Sequence, residues 1–196
     1  AYFLNEPYER WMRDARINTI GEGANDVLKA FIGVVGCRGP GMKLDKMRKS
    51  KLQLTGFAFG HAWRIVSPSG TPRIPVRSSD LHADAHRLAK SIKRLRQTLP
   101  WVFLKAKTEE AFIQSQYQHE RLADIAIDLY TASCSLSRLD SLLKENKPTD
   151  GDLIQAGKHF VKIALRRIDE NFARLFDNDD ASSNATADAV YAGMKS

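Results

Sequence analysis

A carboxylate set between two glycines is the group in this 196-residue sequence best placed to do chemistry. Gly21-Glu22-Gly23 stands directly before Ala24-Asn25-Asp26 and the apolar positions Val27, Leu28, Phe31, Ile32 and Val35. Those positions recur at three- and four-residue spacing and predict a helix that Gly36 closes. Asn25 is a good N-cap for it, and Asp26 suits its positive end. Glycine lets the backbone approach a ligand closely, and the free N–H groups of a helix start can hold a phosphate or a developing oxyanion. A glutamate there can act as a general base, above all when an apolar ligand desolvates it and raises its pKa. On residue types alone, a helix cap or dipole partner is the commoner use of such an acid.

Other reactive side chains offer less. His82 and His86 stand four residues apart on a predicted helix, but no third ligand is spaced nearby, so no metal site is expected. His61, His119 and His159 are isolated. Cys37 and Cys134 are too few for a disulfide scaffold or a Cys-based zinc motif, and read as buried or half-buried thiols. Arg10, Arg13 and Arg16 read as partners of Glu9, Asp14 and a neighbouring domain. Asp124 and Asp128 share a helix face with Glu120, and their expected partners are Arg121 or surface lysines.

The formal charge of +7 is unevenly spread. From Arg38 to Lys107, 16 Lys and Arg stand against three acids, while both flanks are acidic on balance. Such a field attracts phosphate-bearing partners: anionic lipid, nucleic acid or a nucleotide-tailed substrate. Lys43, Lys46, Arg48, Lys49 and Lys51 lie beside Leu52, Leu54, Phe57, Phe59 and Trp63, a mixture suited to an anionic bilayer surface. No motif that reads DNA or RNA accompanies the charge, which argues against nucleic acid.

The elements that must position these groups are helical throughout, and no alternating run argues for a sheet. Pro7 opens a short helix with Tyr8, Trp11 and Met12 on its buried side. Residues 37–78 form a basic, Gly- and Pro-containing connector. Ser79 caps a helix carrying Leu81, Leu88, Ile92 and Leu95, which Pro100 must kink or interrupt. Thr108 starts another that runs to Asn146, with Phe112, Leu122, Ile125, Ala126, Leu129, Leu136 and Leu143 as its stripe. Thr149-x-x-Asp152 resembles a capping box before a helix that buries Leu153, Phe160, Ile163, Ala164, Ile168, Phe172 and Leu175. Residues 178–196 read as a solvated tail with at most a short helix near Val190 and Tyr191. The fold class is all-α, a helical bundle.

The run Arg13 to Phe31, RDARINTIGEGANDVLKAF, resembles the signature near the C-terminal end of the acyl-CoA dehydrogenase fold. About 100 residues on, ERLADIAIDLY (120–130) followed by Leu136-Ser137-Arg138 is similar to the extra helical domain of the very-long-chain subgroup. The resemblance implies four parts. Residues 1–36 end the catalytic helical domain, 37–78 are the connector, 79–177 the extra helical domain and 178–196 a polar tail. It further implies a FAD enzyme of fatty acid β-oxidation that dehydrogenates acyl-CoA to trans-2-enoyl-CoA. By position Glu22 is the base, Gly23 touches the acyl-CoA, and Ala24, Asn25 and Asp26 line the flavin side.

Electron-transferring flavoprotein is the implied oxidant and a homodimer the implied assembly. The implied compartment is the bacterial cytoplasm or the mitochondrial matrix, with peripheral membrane contact through Lys46, Arg48, Lys49 and Lys51. Gly21 replaces the family's usual aromatic residue and Ala24 its usual threonine. The N-terminal and middle domains that hold most of the flavin are missing from this sequence, so an inactive C-terminal fragment is expected. The competing reading is a basic helical module that docks on nucleic acid or membrane without enzymatic activity.

Overall fold

The computed structural model describes residues 7–21, 23–48, 55–56, 60, 70–106, 108–145, 147 and 150–194. Among them every regular element is helical, as the periodicity predicts. Helix α1 (Tyr8–Arg16) passes through a 3-10 turn (Ile17–Thr19) to α2 (Asn25–Arg48). An irregular stretch, 71–78, enters a second 3-10 turn (Ser79–Leu81) and α3 (His82–Ala106). Short α4 (Glu109–Gln114) precedes α5 (Gln116–Glu145), α6 (Gly151–Arg174) and α7 (Asp180–Gly193). No helix among the described residues is long and apolar enough to cross a membrane.

The core forms where α5 packs along α6, with α3 closing the layer. Leu122, Ile125, Leu129, Leu136 and Leu139 on α5 meet Val161, Ala164, Leu165, Ile168 and Phe172 on α6, and Leu81, Leu88 and Val102 come from the α3 segment. Each fully buried Leu or Ile contributes about 1.5–3 kcal/mol, and this cluster dominates the stability of the chain.

Several local expectations yield to packing. Helix α2 does not stop at Gly36 but continues across Gly39-Pro40-Gly41 to Arg48, because Cys37 and Leu44 are buried beyond the glycine. α3 likewise runs through Pro100 as one helix, with Val102 buried past it. The helix expected from Thr108 to Asn146 divides at Ser115, whose hydroxyl donates to the Ala111 carbonyl at 2.6 Å and competes with the helical ladder. Thr108 does cap α4, its hydroxyl accepting from the Ala111 N–H at 3.1 Å.

Ser79 is not a cap. It lies inside the 3-10 turn, and the Asp140 carboxylate of α5 accepts the N–H groups of Arg77 and Ser78 at 2.8 and 2.9 Å. That part of the expected connector is therefore tied down, with Ile74 and Val76 packed against the core. Thr149 lies outside the described residues. Leu153 is exposed, although Ala164, Ile168, Phe172 and Leu175 are buried as expected. The polar tail forms the 14-residue helix α7, rich in alanine and buried nowhere.

The N-terminal helices differ most from expectation. Tyr8, Trp11 and Met12 are exposed, Trp11 at 60%, because among the described residues α1 packs mainly on the following 3-10 turn and buries no residue. On α2 the expected core positions Val27, Phe31 and Val35 are also exposed. The helix instead turns small residues spaced by four to its neighbours, Gly33 to α5, Cys37 to the core and Gly41 to Phe103 of α3. A Cβ on Gly33 would lie 2.7 Å from the His119 Cβ and carbonyl oxygen, so the two backbones touch at this crossing. A Cβ on Gly41 would meet the Phe103 ring at 3.0 Å.

Two predictions follow from that crossing. Gly33→Ala forces backbone apart and should destabilise the chain by about 1–3 kcal/mol despite alanine's better helix propensity, read as a lower urea midpoint. His119, almost fully buried against the Phe112 ring (4.7 Å) with its Nε2 unpartnered, resists protonation because burial disfavours the imidazolium. The unfolded chain takes up that proton near the ordinary value of 6.5, so stability should fall as pH drops below it. Urea midpoints at two pH values, about 7.5 and about 5.5, should show a smaller acid loss in His119→Gln.

Candidate functional site

The helix start expected to carry the chemistry is built as follows. Gly23 has a φ of 119°, a region that disfavours any side chain, so this glycine is required by the backbone. The Ala24 carbonyl accepts the Leu28 N–H at 3.0 Å, which makes Ala24 the N-cap and Asn25 the first helical residue. Asn25 is therefore not the cap, and alanine supplies no side-chain acceptor to the free N–H groups. Ala24, Asn25 and Asp26 are all exposed, with Asp26 in the first turn where its charge opposes the helix dipole favourably. Glu22 lies outside the described residues.

Behind this helix start runs a groove of about 560 Å³ between α2, α5 and α6. Its rim includes Asn25, Leu28 and Ile32 from α2, Ile127 from α5 and Asn171 from α6. Two ion pairs cross its floor. Lys29 Nζ stands 3.0 Å from Asp124 Oδ1 and 3.6 Å from Glu120 Oε1, and these acids raise its pKa above the usual lysine value. Arg167 Nε donates to Asp128 Oδ2 at 3.0 Å, and its Nη2 binds the second oxygen of this buried carboxylate. Asp124 and Asp128 are thus partnered across the bundle by Lys29 and Arg167. A lysine was one of the two expected partners, and Lys29 fills that place; Arg121, the other, is buried and makes a bidentate pair with Asp180 at the start of α7, one contact being 2.7 Å.

Lys29, Ile127, Arg167 and Asn171 of this groove are residues that sequence reasoning missed. The signal was present: Lys29 continues the four-residue series of Gly33, Cys37 and Gly41 that marks the contact face of α2. As to FAD, the exposed polar residues at the open start of α2 fit one edge of a dinucleotide site. The ion-paired floor of the groove does not fit a flavin ring, so Ala24, Asn25 and Asp26 would contribute to such a site and not enclose it.

The remaining expected groups are placed plainly. Arg13 pairs with Glu9 at 2.8 Å and Arg10 with Asp14 at 3.6 Å, as expected for a surface helix. Cys37 is buried with its thiol pushed up to about 11 by desolvation, so it is unreactive at neutral pH, while Cys134 is exposed and not half-buried. His82 and His86 are exposed on α3. Lys46 is exposed on α2, Arg48 is its last residue, and Lys49, Lys51, Phe57, Phe59 and Trp63 lie outside the described residues. Part of the basic middle is consumed internally: Arg87 and Arg94 both reach Asp169 of α6, at 2.6 and 3.4 Å, and Arg94 covers the Phe172 ring.

The bundle and this helix start belong to the C-terminal portion of an acyl-CoA dehydrogenase, as similarity to known proteins shows. Residues 79–192 match the family described as ACAD9/ACADV, C-terminal domain, and the chain belongs to that family. It is 32% identical over 183 residues to the very long-chain specific acyl-CoA dehydrogenase, mitochondrial, of Rattus norvegicus, covering 90% of this chain and 28% of that protein. The proteins of the same name from Mus musculus and Homo sapiens are each 32% identical, over 88% and 75% of this chain and 27% and 24% of theirs. The chain therefore spans about a quarter of the length of the relatives it matches.

The missing cap gives a direct test. Ala24→Thr restores a hydroxyl acceptor at the N-cap and should stabilise the start of α2 by about 0.5–2 kcal/mol. Slower amide exchange over residues 26–29 would report it.

Proposed function

We propose that this chain is the C-terminal part of a FAD-dependent long- or very-long-chain acyl-CoA dehydrogenase that forms trans-2-enoyl-CoA in fatty acid β-oxidation. The observation that carries the reading is the carboxylate motif at the start of α2, within an alignment to a very long-chain enzyme over 90% of the chain. In this reading Glu22 removes the pro-R α-proton of the acyl thioester as hydride leaves Cβ, and the C–H electrons at Cα become the new double bond. The Glu22 backbone N–H donates to the thioester carbonyl and stabilises the charge that develops there. Gly23 touches the acyl-CoA, its bare backbone leaving room for close approach. Ala24, Asn25 and Asp26 face the flavin. When bound, FAD supplies the acceptor for the hydride.

The exposed apolar positions of α1 and α2, Trp11 and Phe31 among them, support the reading because such area is normally covered. In the whole enzyme the cover comes from the rest of the catalytic domain, so the chain alone holds no flavin tightly and turns over no substrate. Electron-transferring flavoprotein reoxidises the whole enzyme, which works as a homodimer in the bacterial cytoplasm or the mitochondrial matrix. Lys46, Arg48, Lys49 and Lys51 dock it on an anionic membrane surface. A free nucleic-acid-binding module is less well supported, since Arg87 and Arg94 spend their charge on Asp169.

Glu22→Gln in the flavin-loaded enzyme that carries this chain should abolish α-proton exchange while flavin absorbance is retained. Undiminished exchange would overturn the assignment of the base. Stoichiometric flavin on the purified 196-residue chain would overturn the expectation of an inactive part.

A further inference from the structure

We infer that Lys29 is a positioning residue, whose ion pairs to Asp124 and Glu120 set the tilt of the first turns of α2 and so place the reacting end of that helix. The inference rests on the function proposed above, and its argument is geometric. Gly33 is pressed directly on the α5 backbone, through contacts with His119 that leave no slack. N-terminal to it, Val27 and Phe31 are exposed, Phe31 at 62%, Leu28 and Ile32 only line the groove, and Ala30 is half-buried, so apolar packing among the described residues holds this part of the helix weakly. The groove separates Asn25 and Leu28 on one rim from Asn171 on the other.

The tie from this stretch to α5 is Lys29, one turn before Gly33 on the same face, reaching Asp124 at 3.0 Å and Glu120 at 3.6 Å. Asp128 does not compete for it, because both its oxygens are taken by Arg167. Gly33 is the pivot and Lys29 the stay.

The lever is long enough to matter. Asn25 lies eight residues before Gly33, about 12 Å along the helix axis. A tilt of about 5° at the pivot then moves the helix start by about 1 Å, a displacement of the size that costs about 100-fold in a positioned reaction. The pair is partly exposed, with Lys29 28% and Asp124 30% accessible, so its loss has little effect on global stability. A large kinetic effect with a small stability effect is therefore the signature that separates positioning from a merely structural role.

Lys29→Met keeps the aliphatic stem and removes the charge. In the flavin-loaded enzyme it should lower kcat by about 10- to 100-fold while the acyl-CoA KM stays within about twofold. Lys29→Arg should keep kcat within about twofold, and the charge exchange Lys29→Asp/Asp124→Lys should recover most of the loss. In the 196-residue chain, with no flavin or substrate, Lys29→Met should speed amide exchange over residues 28–32 by about tenfold and leave the α5–α6 core unchanged. Full kcat in Lys29→Met, or exchange in α2 at the unaltered rate, would overturn the inference. The exchange arm does not depend on the reaction, and Glu22→Gln with intact α-proton exchange would overturn the proposed function alone.

Discussion

The contact between the α2 and α5 backbones at Gly33 and His119 is the constraint on which the N-terminal half of this chain depends. A helix pair can approach this closely only where one partner has no side chain, and a Cβ at Gly33 would overlap backbone as well as side-chain atoms. The same four-residue series places Cys37 in the core and brings Gly41 to the Phe103 ring. Close packing along this seam compensates for the breakers inside α2. It explains why a helix with three glycines and a proline between Gly36 and Gly41 continues to Arg48.

α5 is also the electrostatic hub. Glu120 and Asp124 hold Lys29 of α2, Arg121 holds Asp180 of α7, Asp128 holds Arg167 of α6, and Asp140 caps the chain entering α3. Each tie crosses at least 39 residues of sequence, so each restricts how one neighbour sits on α5. The Arg121 and Asp128 charges are buried, and burial of charge opposes stability unless every partner is in place. These pairs define arrangement more than they add to stability, whose main source is the apolar layer between α5 and α6. Helix α7 illustrates the difference, since it buries nothing and is nevertheless anchored at its first residue by a bidentate pair.

Much of this architecture was legible in the sequence. The stripes of α5 and α6 identified the buried Leu122, Ile125, Leu136, Ala164, Ile168 and Phe172, because a 3.6-residue period allows one continuous face to be covered. The glycine-flanked carboxylate and the ERLADIAIDLY run pointed to the acyl-CoA dehydrogenase family. Element ends were less legible. Gly36 and Pro100 are strong local signals, yet residues beyond them are buried, and tertiary contact outweighs propensities of about 1–3 kcal/mol. The orientation of α2 was read wrongly for a related reason. Its large apolar residues suggested the inward face, while the close crossing selects small ones and leaves Val27, Phe31 and Val35 outside.

Composition and periodicity alone were enough to establish an all-α chain and its central buried stripes, while its family was legible only through the resemblance of two sequence runs to a known signature. The helices and their stripes depend on interactions within a turn or two of helix, which local sequence encodes. The partners of the charges were settled by the fold. Asp124 and Asp128 sit four residues apart on one helix, yet one meets Lys29 and the other Arg167 on opposite neighbours. A carboxylate's partner depends on which helix passes within about 4 Å of it, and nothing along a single helix specifies that distance.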